Sequence, residues 1–211
     1  MAPRSTRLSK QARREQLLDA ATAFVRAHGA DGLTLPSLAE AAKVSRPIVY
    51  DHFGTRHGLL LALYLRLDEQ HRAALTEALK DAPPTPHEVA RVISGAYFAC
   101  ATAMPELNAV AAALRGIPEL DAMQQEVLDR YIDLMADALV PYSAITGEAL
   151  RLRCVGALGA AEAIAAELTR GRVSAADAVT ALADLLMGGL DTGRPDGSST
   201  APSGCRRSGR P

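Results

Sequence analysis

The chain has 211 residues, 48% of them apolar but only 4% aromatic, and its formal net charge is −1. Such a length can bury a substantial core, and few aromatic residues favour packed helices over sheets. No apolar run approaches the roughly 18 residues of a membrane-spanning helix, and the basic start lacks an apolar signal segment, so we expect a cytoplasmic protein. The widely spaced Cys100, Cys154 and Cys205 form neither a disulfide framework nor a zinc pattern, and we expect the first two to be small buried hydrophobic residues.

The charge is unevenly distributed along the chain. Residues 1–56 contain 9 Lys or Arg against 5 Asp or Glu, whereas residues 57–190 contain 10 against 17. Residues 191–211 contain 4 against 2. A basic N-terminal part on an acidic body indicates that the N-terminal part contacts a polyanion.

Three helices are predicted in the N-terminal part, behind a flexible basic arm at residues 1–8. The first, at 9–28, has apolar residues at the spacing of one helical face. Short helices follow at 35–42 and 46–53. Each has a proline in its first turn and a capping residue before it, Thr34 or Ser45.

The remaining ordered chain is also predicted to be helical. A long helix at 56–80 precedes a proline-rich linker, and five more follow at 87–103, 105–115, 119–140, 147–170 and 174–190. Residues 191–211 are rich in Gly, Ser, Pro and Arg, and we expect them to be disordered. The predicted fold class is all-α, with about nine helices in two domains, a helix-turn-helix domain at 9–55 and a larger helical domain at 56–190.

The two short helices and the helix before them form the pattern of a helix-turn-helix, which presents its last helix to the major groove. Residues 13–64, about a quarter of the chain, resemble the DNA-binding domain of the TetR family of regulators. The features that carry the resemblance are Ala20-Ala21 with Phe24, Gly29, Gly32, Thr34, Leu38-Ala39, Val44-Ser45, Tyr50-x-His52-Phe53 and Leu59.

The resemblance implies a set of DNA contacts. Bases would be read by the start of the recognition helix, at Arg46, Pro47 and Ile48, with Arg46 suited to guanine. Phosphates would be held by Tyr50 and His52 and by a set of anchors, Thr34, Ser37, Ser45, Thr55 and Arg56. Each has a structural alternative: a solvated charge for Arg46, a packed aromatic for Tyr50, an interhelical hydrogen bond for His52, and helix caps for Thr34 and Ser45.

Several positions depart from the family pattern. Lys43 stands where the family usually has glycine, so a left-handed backbone there would cost roughly 1 kcal/mol. Pro36 replaces a side chain that can reach DNA, and Asp51 places a negative charge in the recognition helix, where it accepts from cytosine or points away from phosphates. In Arg56-His57-Gly58, only Arg56 is equivalent to a family residue.

The last two helices, at 147–170 and 174–190, carry wide apolar faces rich in small residues. The family pairs these helices with their symmetry mates in a four-helix bundle, so the resemblance implies a homodimer. A two-fold dimer would read a palindromic operator in double-stranded DNA. The alternative is that both helices pack only within their own subunit.

A pocket for a small apolar effector is expected among helices 56–80, 87–103, 105–115 and 119–140, with help from 147–170. Its candidate lining residues are Tyr97, Cys100, Met104, Leu107, Leu114, Met123, Tyr131 and Met135, each of which is otherwise plain core. Arg115 and Glu162 contact a polar group of the ligand or lie on the surface. The low aromatic content favours an aliphatic or acyl-type ligand over a planar aromatic one.

The interpretation at this stage is a ligand-responsive transcriptional repressor. Ligand binding would tilt helix 56–80 and change the separation of the two recognition helices. No catalytic motif, cofactor motif or metal-ligand pattern is present in the sequence, so no enzyme activity, cofactor or metal is expected. The alternatives are a non-specific DNA-binding or nucleoid protein and a helical enzyme.

Overall fold

The computed structural model describes residues 9–115 and 117–190. Within these ranges the all-α prediction is confirmed, and each helix ends within one residue of its predicted bounds. The basic arm, the C-terminal tail and Cys205 lie outside the described residues. The helices are α1 (Lys10–His28), α2 (Leu35–Ala41), α3 (Arg46–Phe53), α4 (Arg56–Lys80), α5 (Pro86–Ala103), α6 (Pro105–Leu114), α7 (Pro118–Leu139), α8 (Gly147–Thr169) and α9 (Ala175–Leu190).

Local chemistry explains where the helices begin and end. Thr34 Oγ1 accepts from the backbone N–H of Ser37 at 3.1 Å, and Ser37 Oγ accepts from the N–H of Thr34 at 2.8 Å, which forms a reciprocal capping box. Ser45 precedes α3 but makes no side-chain capping bond, contrary to the prediction. At the end of α7, Pro141 has no N–H to continue the helix, and the chain forms a 3-10 turn, Val140–Tyr142, instead.

The turn between α2 and α3 contains the strained residue that the sequence predicts. Lys43 has φ 53°, in the left-handed region, which side chains other than glycine adopt at a cost. The N–H of Val44 donates to the carbonyl of Ala39 at 3.0 Å and closes the turn. The short connection places α3 across α2, as in a helix-turn-helix.

Two apolar clusters hold the described chain together. One, the N-terminal cluster, lies between α1, α2, α3, the first half of α4 and α6. Its fully buried residues include Leu17, Leu38, Val49 and Leu59. The other joins the second half of α4 to α5, α7, α8 and α9. Because α4 enters both clusters and α6 packs on the first, both helices contact the N-terminal helices. Among the described residues, no helix combines the length and apolar character needed to cross a bilayer.

Candidate DNA interface and effector cavity

Helix α3 has a buried face and a free face. Val49 and Phe53 are buried against α1 and α2, whereas Arg46, Pro47 and Tyr50 are exposed, Tyr50 by 49%. Ile48 is half-buried and packs on the N-terminal cluster, so it is less available to a partner than its neighbours. The residues predicted to read bases therefore begin a solvent-facing surface, with Ile48 at its inner edge.

Basic side chains of α1 form bonds to residues of α3. The Arg14 guanidinium donates to the backbone carbonyl of His52 at 3.0 Å and lies 5.0 Å from the Phe53 ring centroid, a cation–π contact. Lys10 Nζ lies 3.5 Å from the carboxylate of Asp51, which gives this acidic residue a partner within the protein. Burial lowers the pKa of His52, so its imidazole is neutral at physiological pH.

Most of the predicted phosphate anchors also have structural partners. Thr34 and Ser37 bond to each other, and Thr55 Oγ1 caps α4 by accepting from the N–H of Gly58 at 3.0 Å. The Arg56 guanidinium donates to the carbonyls of Leu33 at 2.9 Å and Ala30 at 3.0 Å. These side chains hold the loops beside α2 and α3 in place, and their contacts with DNA stay predictions.

A chamber of about 160 Å³ lies in the region predicted to hold the effector pocket. It opens into a wider groove of about 750 Å³, which shares Tyr64, Tyr97 and Glu162 with the chamber and extends to Arg115 and Gln124. Helices α4, α5, α6, α7 and α8 all contribute to its wall. The main side chains are Tyr64, Asp68 and His71 from α4, Tyr97 and Cys100 from α5, Leu107 from α6, Val127 and Tyr131 from α7, and Leu158 and Glu162 from α8.

The structure brings together half of the predicted lining residues. Tyr97, Cys100, Leu107 and Tyr131 surround the chamber, but Met104, Leu114, Met123 and Met135 do not. Met104 and Leu114 pack on the N-terminal cluster and Met135 belongs to the other cluster, while Met123 is half-buried on α7. Leu114 is seven residues beyond Leu107, roughly 10 Å further along α6, where the helix meets its neighbours and leaves no gap.

The sequence interpretation placed helix 56–80, now α4, at the pocket but named none of its residues as lining. Tyr64, Asp68 and His71 follow each other at intervals of four and three residues, so they share one face of the helix. The available signal was this spacing of polar and aromatic residues along one face of the helix. Cys100, expected to be buried, is half-buried at the cavity, whereas Cys154 is buried as predicted.

The chamber wall is mainly apolar but contains several buried polar side chains. Asp68 is 6% exposed, its Oδ2 accepts from Arg72 Nε at 2.9 Å, and burial raises its pKa. The His71 ring stacks on Tyr131 with centroids 5.0 Å apart, and burial lowers the pKa of His71. Among the described residues, the buried Tyr131 hydroxyl has no hydrogen-bond partner. Burial raises the pKa of Tyr97, and the negative charge of Glu162 raises it further. The Tyr97 side chain therefore remains a neutral phenol.

Helix α6 connects this chamber to the N-terminal helices. Glu106 is 2% exposed and accepts from Arg26 Nη2 at 2.5 Å and from Arg26 Nε at 3.3 Å. The adjacent residue, Leu107, lines the chamber. One short helix thus forms part of the cavity wall and an ion pair with α1.

Helices α8 and α9 leave apolar side chains uncovered. Leu152 is 65% exposed and Leu185 54%, and Val155, Gly156 and Gly159 on α8 are also exposed. Small residues allow another helix to approach closely, and a continuous exposed apolar face is typical of a protein interface.

Comparisons with known proteins agree with these features. The profile of the family described as "Bacterial regulatory proteins, tetR family" matches residues 17–63. The HTH-type transcriptional regulator BetI of Paraburkholderia phymatum is 35% identical over 89 residues, which cover 42% of this chain and 45% of BetI. The match thus spans less than half the length of that curated relative.

Two solved structures share the fold over most of the chain. A TetR-like transcriptional regulator from Rhodococcus sp. RHA1 has a TM-score of 0.67 at 24% identity, covering 87% of this chain and 98% of that chain. The regulator FadR from Bacillus subtilis, solved in complex with stearoyl-CoA, has a TM-score of 0.64 at 17% identity, covering 84% and 97%. Residues 17–63 thus match the domain of the tetR family, and the described helices have the fold of these two regulators.

Proposed function

We propose that this chain is a homodimeric repressor of the TetR family that binds a palindromic operator and leaves it when a small, mainly apolar ligand enters the chamber. The observation that carries the proposal is the position of α6, which lines the chamber at Leu107 and is ion-paired to α1 at Glu106. A ligand that displaces α6 therefore acts on the DNA-binding helices.

The exposed start of α3 supports specific recognition. An arginine such as Arg46 pairs with guanine through two hydrogen bonds, and an exposed Tyr50 reaches a phosphate from the same surface. Structural bonds from Arg14 and Arg56 hold α3 and the adjacent loop in place. Pre-positioned side chains lose less conformational entropy on binding, which favours a specific complex.

The uncovered face of α8 and α9 supports the dimer. Exposed Leu152, Val155 and Leu185 would be covered by the same helices of a second copy. A two-fold axis at this face relates two α3 helices, and each would enter one half-site of an inverted repeat.

Release of DNA requires that the ligand prefer one of two conformations. A ligand larger than the empty chamber would push α6 and α4 apart, move the N-terminal helices through Glu106 and Arg26, and change the spacing of the two α3 helices. Coupling of this kind between two sites typically amounts to about 1–3 kcal/mol.

The test is selection of random duplex DNA by the purified full chain, followed by binding measurements over a range of salt concentrations. We expect enrichment of an inverted repeat, and loss of its binding in Arg46→Ala and Tyr50→Ala. Arg91→Ala, which removes an exposed arginine of α5, is the matched control and should bind normally. Salt-sensitive binding without an enriched sequence would instead indicate a non-specific DNA-binding protein.

A further inference from the structure

The chamber wall carries negative charge that is not balanced by lining cations. Asp68 and Glu162 are its two carboxylates, and no Lys or Arg belongs to the described lining. Arg72 pairs with Asp68, but Glu69 also binds it, so two carboxylates share this cation. Arg130 also acts on Asp68, from an exposed position outside the lining. Glu162 is an exposed residue of α8 that lines both the chamber and the wider groove, and it forms no ion pair with the described residues.

Aromatic rings line the same chamber as these carboxylates. Tyr64, Tyr97 and Tyr131, three of the five tyrosines of the chain, line the chamber together with His71. The cavity is thus rich in aromatic residues, although the whole sequence contains few. The face of an aromatic ring is electron-rich and attracts a cation, most strongly where water is excluded.

One buried hydroxyl has an open hydrogen-bonding position. Tyr131 is 95% buried, lines the chamber, and its oxygen has no partner among the described residues. A phenol oxygen accepts as well as donates, and leaving it unsatisfied in the interior is unfavourable. A ligand that places an N–H or an acceptor beside Tyr131 removes this penalty.

The volume limits the size of the group that fits. The chamber measures about 160 Å³, close to the roughly 150 Å³ of an engineered cavity that holds benzene. The inner part thus accepts one ring-sized group, and the wider groove holds any remaining part of a longer ligand.

From these four observations we infer that the effector is a compact organic ammonium cation, with its charge held by Glu162 and the tyrosine rings and an N–H directed to Tyr131. The inference rests on the proposed function in taking the chamber as the effector site. It adds that an ammonium cation binds there and a carboxylate anion does not. The Bacillus FadR complex with stearoyl-CoA shares only the fold, at 17% identity.

Three probes of nearly equal shape test the charge: benzylammonium, benzyl alcohol and benzoate, titrated into the full DNA-free protein by calorimetry. We expect benzylammonium to bind about five- to tenfold more tightly than benzyl alcohol, and benzoate more weakly than both. Equal or tighter binding of benzoate would overturn the inference, as would no measurable binding of benzylammonium at millimolar concentration.

Two variants assign the residues. Glu162→Gln should weaken benzylammonium about threefold and leave benzyl alcohol unchanged, because only the cation interacts with the lost charge. Tyr131→Phe should weaken both by about three- to tenfold, because both use the hydroxyl. Glu148→Gln makes the same change on the exposed first turn of α8 and is the control. Equal losses in Glu162→Gln and Glu148→Gln would contradict a role for Glu162.

The readouts separate this inference from the proposed function. Calorimetry is done without DNA, so the order of the three binding affinities can be measured whether or not an operator is found. If benzylammonium binds as expected but an enriched operator is not released, the chamber is a cation site and the repressor mechanism is wrong. If an operator is enriched but benzoate binds best, only the charge assignment fails.

Discussion

Arg26 on α1 and Glu106 on α6 form a two-bond ion pair between residues that are 80 positions apart in the chain. The carboxylate is buried and the guanidinium is largely exposed, with side-chain exposures of 1% and 58%. The Arg26 side chain thus anchors α6 on the N-terminal helices at the residue beside Leu107 of the chamber. This ion pair joins α1 to a helix that lines the chamber.

The ion pair predicts a combined effect on stability and regulation. Glu106→Gln keeps an acceptor but loses the charge, and we expect the free energy of unfolding to fall by about 1–2 kcal/mol. We also expect ligand to release less operator DNA at saturation, because α6 is less firmly joined to α1. Urea denaturation and a DNA-release titration measure the two quantities.

The same substitution in an exposed pair provides the control. Glu77 pairs with Lys80 at 2.7 Å on the surface of α4, and Glu77→Gln should leave both readouts within error. If Glu106→Gln destabilises the protein but release is unchanged, the pair is structural and coupling runs through α4 alone.

Lys43 carries backbone strain in the turn of the helix-turn-helix. Its φ of 53° is accessible to glycine without a side-chain clash, so Lys43→Gly should raise the free energy of unfolding by about 0.5–1 kcal/mol after the entropy of the unfolded glycine is counted. Lys43→Ala removes the charge but keeps the strain. Denaturation and operator binding of both variants separate strain from charge, and equal stability of glycine and alanine variants would contradict the strain.

Stability should fall as the solution is acidified below about pH 6.5, the unperturbed pKa of histidine. Burial lowers the pKa of His71 in the folded protein, so the unfolded chain binds a proton at a higher pH than the folded chain. The neutral form therefore contributes stability above pH 6.5 that is lost between this value and the lowered pKa. His52, lowered mainly by burial, adds to the effect in the same direction.

A variant isolates the part due to His71. In His71→Gln, the free energies of unfolding at pH 5.5 and pH 7.5 should differ less than they do in the wild type. The difference that remains includes the contribution of His52. Burial raises the pKa of Asp68, whose effect on the pH dependence has the opposite sign. An unchanged pH dependence in His71→Gln would show that other groups are responsible.

The uncovered face of α8 predicts a variant that separates the subunits. Leu152 is 65% exposed in the single chain, and Leu152→Glu would place two charges near the axis of the proposed dimer. We expect a monomer by light scattering and a loss of tight operator binding, with helix content unchanged. Val140→Glu, at another exposed apolar position outside α8 and α9, should remain dimeric. A dimeric Leu152→Glu protein would place the interface elsewhere.

The sequence by itself determined the features that depend on neighbouring residues. The 3.6-residue spacing of apolar side chains, Thr34 before α2 and the prolines at helix starts specify elements within one or two turns, so the helix bounds were predicted to within one residue. The left-handed backbone of Lys43 was expected from the resemblance, because the family usually has glycine at this position.

Only the tertiary structure decided which part of each apolar face meets a gap and which meets another helix. Tyr131 and Met135 are one turn apart on α7 and belong to the same core cluster, yet only Tyr131 also lines the chamber. The carboxylate wall of Asp68 and Glu162 and the Arg26–Glu106 pair join residues that are far apart in the chain. Such contacts depend on how helices cross, and periodicity within a single helix carries no information about its neighbours.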